Sequence, residues 1–178
     1  MMRADTESPD QKSYRTARRA FIAACESAHI DTVARLHPAR GPDGKPLFMD
    51  CAALGPRRAT KAVLIVAYDA VGTDVLIALL REPLPPPETR LVLVHALDPA
   101  SFAGVANDPA WPPAMLRAVA TEDLSRVRDL AVLPLTRRDD SLKAILQTPL
   151  PQAAITTLSP AATAEEACRL TAAFFAGH

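Results

Sequence analysis

Two short apolar runs dominate the middle of the chain. Ala62-Val63-Leu64-Ile65-Val66-Ala67 and Arg90-Leu91-Val92-Leu93-Val94-His95 are nearly continuous in apolar residues. Strands buried on both faces of a parallel sheet have this pattern. The first run breaks at Tyr68-Asp69-Ala70-Val71-Gly72-Thr73-Asp74, and Val75 to Leu80 then reads as a helix before a proline-rich turn. The stretch from Ala62 to Pro99 therefore predicts a βαβ unit around which the rest is organised.

Upstream, residues 1–11 are polar and expected to fray, with Ser8 or Asp10 placed to cap a helix. Tyr14, Ala17, Phe21, Ala24, Cys25 and Ala28 recur at helical spacing, with Arg15, Arg18, Arg19 and Glu26 on the other face. That basic cluster reads first as a solvated helix face and second as an anion site. Thr32 to His37 alternates like a half-buried strand, closed by Pro38. Gly41-Pro42-Asp43-Gly44 is a turn, and Leu47 to Leu54 reads as the returning strand of an antiparallel hairpin at the sheet edge.

Downstream, Ser101 to Asp108 has no period. Trp111 to Ala120 predicts a short helix, and Thr121-Glu122-Asp123 a cap or turn. Leu130 to Leu135 and Ala153 to Leu158 read as further strands. Ser141 to Gln147 reads as a helix capped near Asp139 or Asp140. A closing helix presents Ala167, Leu170, Thr171, Phe174 and Phe175 on one face, and Thr163 with Glu166 fits a capping box. This order predicts an α/β fold: a single three-layer α/β/α domain spanning residues 1–178, with a mixed, mostly parallel sheet, an N-terminal helix and an antiparallel hairpin.

The 178 residues can form a core without metal or disulfide support. A formal net charge of zero gives no electrostatic case for nucleic acid or an acidic membrane and favours self-association. Cys25, Cys51 and Cys168 are far apart and form no C-x-x-C pair, so free thiols are expected. The first residues lack the apolar core of a signal peptide, and no apolar run reaches the ~20 residues of a membrane span. A cytoplasmic protein is expected, with no cofactor and a possible homo-oligomer or protein partner.

In parallel sheets chemistry gathers at the carboxyl ends of the strands. Asp69 and Asp74 follow the first central strand, and His95 and Asp98 end the second, so the four can line one crevice for general acid–base work. The competing reading has Asp69 and Asp74 capping a helix, and His95 as a buried, hydrogen-bonded strand-end residue. Arg137 and Arg138 stand between a strand and a helix, placed for an anion or for self-pairing with Asp139 and Asp140. No G-x-S-x-G and no glycine-rich phosphate loop is present.

Tyr14 to Ala28, His37-Pro38, Gly41 to Leu47, Asp50, Leu54-Gly55-Pro56 and Val94-His95-Ala96-Leu97-Asp98-Pro99, with Phe102, follow a joint order over residues 14–102. The order resembles an uncharacterised bacterial branch of the zinc carboxypeptidase-like hydrolases. The pattern there is Y-x-x-A-R-x-x-F, H-P-x-x-G-P-D-G-x-P-L, x-D-x-x-x-L-G-P and V-H-A-L-N-P-x-G-F. The resemblance implies a mixed α/β sheet and one zinc ion. The family's first two ligands come from H-G-x-E-G after the first long parallel strand, where this chain has Tyr68 to Asp74. A third ligand comes from a D-x-H-T-G-like strand end, and an N-R-N-F stretch binds the substrate carboxylate. After His95 the only histidine here is His178, and no arginine stands between Pro99 and Arg117. A catalytic zinc needs about three protein ligands, and His29, His37, His95 and His178 lack partners at ligand spacing.

These departures imply a non-catalytic relative without its metal site, acting as a binding or assembly module. The alternative is a metal-independent hydrolase using Asp69, Asp74 and His95.

Overall fold

The structure is a computed structural model that describes residues 9–177 except residue 84. Its elements are α1 (Pro9–Ser27), β1 (Thr32–Arg40), β2 (Pro46–Leu54), β3 (Lys61–Val66), α2 (Ala70–Leu79), β4 (Thr89–His95) and α3 (Pro99–Phe102). They continue with α4 (Trp111–Asp123), β5 (Asp129–Pro134), α5 (Ser141–Gln147), β6 (Ala154–Thr157) and α6 (Ala164–Ala176). The six strands form one sheet in the order β1-β2-β4-β3-β5-β6. Pairs β4/β3, β3/β5 and β5/β6 are parallel, while β1/β2 and β2/β4 are antiparallel. The expected mixed sheet with an antiparallel edge hairpin is observed.

The continuous apolar runs follow from burial on both faces. Val63, Ile65, Leu91, Leu93 and Leu133 point to one face and meet Phe21, Cys25, Val75, Leu76 and Ala167 of α1, α2 and α6. Their neighbours Leu64, Val66, Val92, Val94 and Val132 meet Trp111, Leu116, Val119, Leu142 and Leu146 of α4 and α5. Period-two alternation thus feeds two helix layers. Each such side chain, fully buried, contributes roughly 1.5–3 kcal/mol.

Several boundaries differ from expectation. Helix α1 already includes residues 9–11, so they are not frayed ends. Asp10 lies within it, while Ser8 and the rest of residues 1–8 fall outside the described residues. Strand β1 runs through Pro38 to Arg40 because it is an edge strand, where a missing N–H is tolerated, and its register shifts between Leu36 and Arg40. Helix α2 begins at Ala70, five residues before the predicted Val75, because Asp69 caps it. The unpredicted α3 is a single four-residue turn, and Thr121 to Asp123 form the last turn of α4. At α6, Thr163 Oγ1 accepts from the Glu166 N–H, but Glu166 Oε2 accepts from the N–H of Ala162. Cys25, Cys51 and Cys168 are free thiols. Among the described residues no helix is long and apolar enough to cross a membrane.

Candidate functional site

The loops after adjacent strands leave the sheet on opposite faces. Helix α2 follows β3 onto one layer, while α5 follows the adjacent β5 onto the other. Such a reversal opens a crevice at the carboxyl ends of the strands. Here it is a cavity of about 430 Å³ lined by Ser13, Tyr68, Asp69, Val71, Ser101, Phe102 and Arg137. Two non-glycine residues adopt left-handed backbone at this end of the sheet, Ala96 after β4 (φ 55°) and Thr136 after β5 (φ 68°). Backbone strain of this kind clusters at functional sites.

Tyr68 emerges directly from β3 and donates its hydroxyl hydrogen to Asp139 Oδ2 at 2.6 Å. Asp139 Oδ1 accepts from the N–H of Ser141 at 3.1 Å and from its hydroxyl at 2.5 Å. Burial, reinforced by the Asp139 carboxylate, holds the Tyr68 phenol well above its ordinary value. Burial alone would raise Asp139, but its bonds from Ser141 and Tyr68 prevail and hold it below the usual carboxylate range. The Arg137 guanidinium lies over the Tyr68 ring, 3.8 Å from its centre. No carboxylate among the described residues pairs with Arg137.

Asp69 is the N-cap of α2. Its Oδ1 accepts from the Gly72 N–H at 2.8 Å, and its Oδ2 accepts from the Thr136 hydroxyl at 3.0 Å. The other predicted site residues stand elsewhere. Asp74 is an exposed residue inside α2, not a cap, and lines a groove against Ala20, Ala23 and Ala24 of α1. Asp98 caps α3 through the Ser101 N–H at 3.1 Å and accepts from Asn107 Nδ2 at 2.5 Å. Arg138 pairs with Asp140 in an exposed loop. Of Asp69, Asp74, His95, Asp98, Arg137 and Arg138, only Asp69 and Arg137 line the cavity.

His95 is fully enclosed on the α1 side of the sheet. Its ring stacks on Phe21 with centres 5.2 Å apart, and Phe102 lies 6.1 Å away. Nδ1 is 3.8 Å from Asp50 Oδ2, and neither ring nitrogen has a hydrogen-bond partner. The expectation that His95 would be hydrogen-bonded is therefore corrected. Sequence reasoning also missed the Asp50–Arg18 pair, whose signal is one carboxylate inside the apolar run Leu47 to Leu54.

Among the described residues no group of three or more His, Cys, Asp and Glu side chains is placed to hold a metal ion. At the position after β3, both Asp69 oxygens already accept hydrogen bonds. The described residues do not fit the zinc centre that the resemblance implies.

The profile of a family described as "Protein of unknown function (DUF2817)" matches residues 11–106. The chain belongs to the DUF2817 family. The matched segment covers α1 through α3, and the DUF2817 match does not extend to β5, α5 and β6. No curated protein matches the chain. Solved structures similar to this DUF2817 chain include a glutaminyl cyclase of Macrostomum lignano, at 14% identity and TM-score 0.43 over 71% of this chain and 51% of that one. Another comes from a Bacteroides vulgatus protein for which Zn-dependent exopeptidase activity is suggested, at 15% identity and TM-score 0.45 over 76% and 56%. The naproxen esterase of Bacillus subtilis matches at 14% identity and TM-score 0.43 over 86% and 51%. The chain thus spans little more than half the length of these three proteins.

Proposed function

We propose that this DUF2817 chain is a non-catalytic binding module of hydrolase-like ancestry that has lost the zinc ligands of its relatives. Its crevice at the carboxyl ends of β3 and β5 holds a small ligand bearing an anionic group. The observation that carries this reading is the Arg137 guanidinium, laid over Tyr68 at the cavity wall without a carboxylate partner among the described residues. The neighbouring carboxylates Asp69 and Asp139 are consumed in structural hydrogen bonds. A guanidinium held flat is preorganised for a planar carboxylate or a phosphate. Phe102 and Val71 offer apolar contact beside it. The alternative hydrolase draws no support from this geometry, since Asp74 and His95 lie outside the cavity.

Calorimetric titration with benzoate, succinate and inorganic phosphate tests the reading. At least one is expected to bind saturably, and Arg137→Ala to weaken it about tenfold without lowering the melting temperature. Stoichiometric zinc in the purified protein, or turnover of ester or amide substrates lost in Asp69→Ala, would overturn it.

A further inference from the structure

At the opposite end of the sheet, where β1 and β4 begin and β2 ends, lies a second cavity of about 550 Å³. Its charged side chains are two cations, Arg57 and Arg90, and two carboxylates, Asp31 and Asp123. Arg90 is 5% exposed and donates from Nη2 to Asp123 Oδ1 at 2.7 Å and from Nη1 to the Gly55 carbonyl at 2.5 Å. Its buried Nε has no acceptor. A buried donor without a partner is costly and seldom kept without a reason. Arg57 and Asp31 are exposed, and neither takes part in an ion pair among the described residues.

Arg90 and Asp123 neutralise each other, so among the described residues the unpaired charges at this cavity are one guanidinium, Arg57, and one carboxylate, Asp31. A simple anion or a simple cation gains from one of these and is repelled by the other. A ligand carrying both charges close together escapes this cancellation.

We propose that this cavity binds a small zwitterion, a free amino acid or a short peptide. Its carboxylate faces Arg57 and the unpartnered Nε–H of Arg90, and its ammonium faces Asp31. The site is separate from the crevice beside Arg137 and does not depend on the function proposed for it.

The test is calorimetric titration of the whole chain with the twenty common L-amino acids and, separately, their glycyl dipeptides. At least one is expected to bind saturably in the millimolar range or tighter, and the two arms tell amino acid from peptide. The matched carboxylic acid lacking the amine, and the matched amine lacking the carboxylate, should each bind about tenfold more weakly. Asp31→Asn and Arg57→Gln, both at exposed positions, should weaken binding similarly with melting temperature unchanged, while Arg137→Ala should leave it intact. The proposal falls if no zwitterion binds or if the single-charge analogues bind as well. It also falls if Asp31→Asn and Arg57→Gln have no effect, or if Arg137→Ala abolishes binding.

Discussion

Arg18 of α1 grips Asp50 of β2 with two hydrogen bonds, Nε to Oδ2 at 2.7 Å and Nη2 to Oδ1 at 3.0 Å. The Asp50 side chain is completely buried. The pair fastens the first helix to the sheet, and removing one partner strands the other. Arg18→Ala should therefore cost about 3–5 kcal/mol, measured by urea unfolding at pH 7.

His95 adds a pH dependence to this cluster. Burial holds its imidazole below the ordinary 6.5, against the pull of Asp50. Burial alone would raise Asp50, but the nearby imidazole and the Arg18 bonds hold it below its usual 3.8. As pH falls below 6.5 the unfolded chain takes up a proton that native His95 resists, so stability declines. The Asp50 contribution is present above about pH 4 and is lost only in stronger acid. His95→Phe, which keeps an aromatic ring against Phe21, should flatten the decline between pH 7 and 5 and leave the steeper acid limb. An unchanged slope in that variant would assign the decline to other groups.

The three thiols should differ sharply in reactivity. Cys25 is 0% exposed and Cys51 4%. Burial pushes Cys25 up to about 11 and Cys51 up to about 12. The thiolate is the reactive form, so both should be silent toward a disulfide reagent in the native protein. Cys168 is only half-buried on α6. One thiol per chain should react under native conditions and three in denaturant. Two or more fast native thiols would contradict the packing of α1 and β2.

The legible parts of this fold are those where burial dictates composition. Strands β3, β4 and β5 stand out because a strand covered on both faces is apolar through its middle, as at Leu91 to Val94. Helix α3, four residues long, is shorter than any period can report. The strand-end rule pointed to the end of the sheet where the crevice beside Arg137 lies, yet the pairings there were hidden. Tyr68 and Asp139 are 71 positions apart, and Asp69 and Thr136 are 67. No local pattern couples residues at such separations. The idea that Asp69 and Asp74 act together failed for a local reason. Asp69 starts α2 at Ala70, which puts Asp74 inside the helix rather than ahead of it. Gly55 is another position whose role only the tertiary structure explains. With φ at 91°, a side chain there would place its Cβ 2.1 Å from the Thr89 carbonyl oxygen.

The link between Asp69 and Thr136 tests whether the carboxyl end of the sheet is held by structure or kept for chemistry. Thr136 is β-branched and left-handed at φ 68°, a conformation that costs on the order of 1–3 kcal/mol. Its hydroxyl reaches Asp69 Oδ2 at 3.0 Å, while Asp69 Oδ1 caps α2 through Gly72. One carboxylate thus joins the loop after β5 to the helix after β3. Asp69→Asn keeps a capping oxygen and should stay within about 0.5 kcal/mol of the parent protein. Asp69→Ala loses both bonds and should cost about 1–2 kcal/mol. Thr136→Gly loses the hydroxyl but relieves the backbone, so it should be near neutral. If the two residues act as one brace, the double variant Asp69→Ala with Thr136→Gly should cost less than the sum of the singles, by about 0.5 kcal/mol or more. Strict additivity in chemical denaturation would mean that Asp69 acts on α2 alone and that the strained turn is held by something other than this carboxylate.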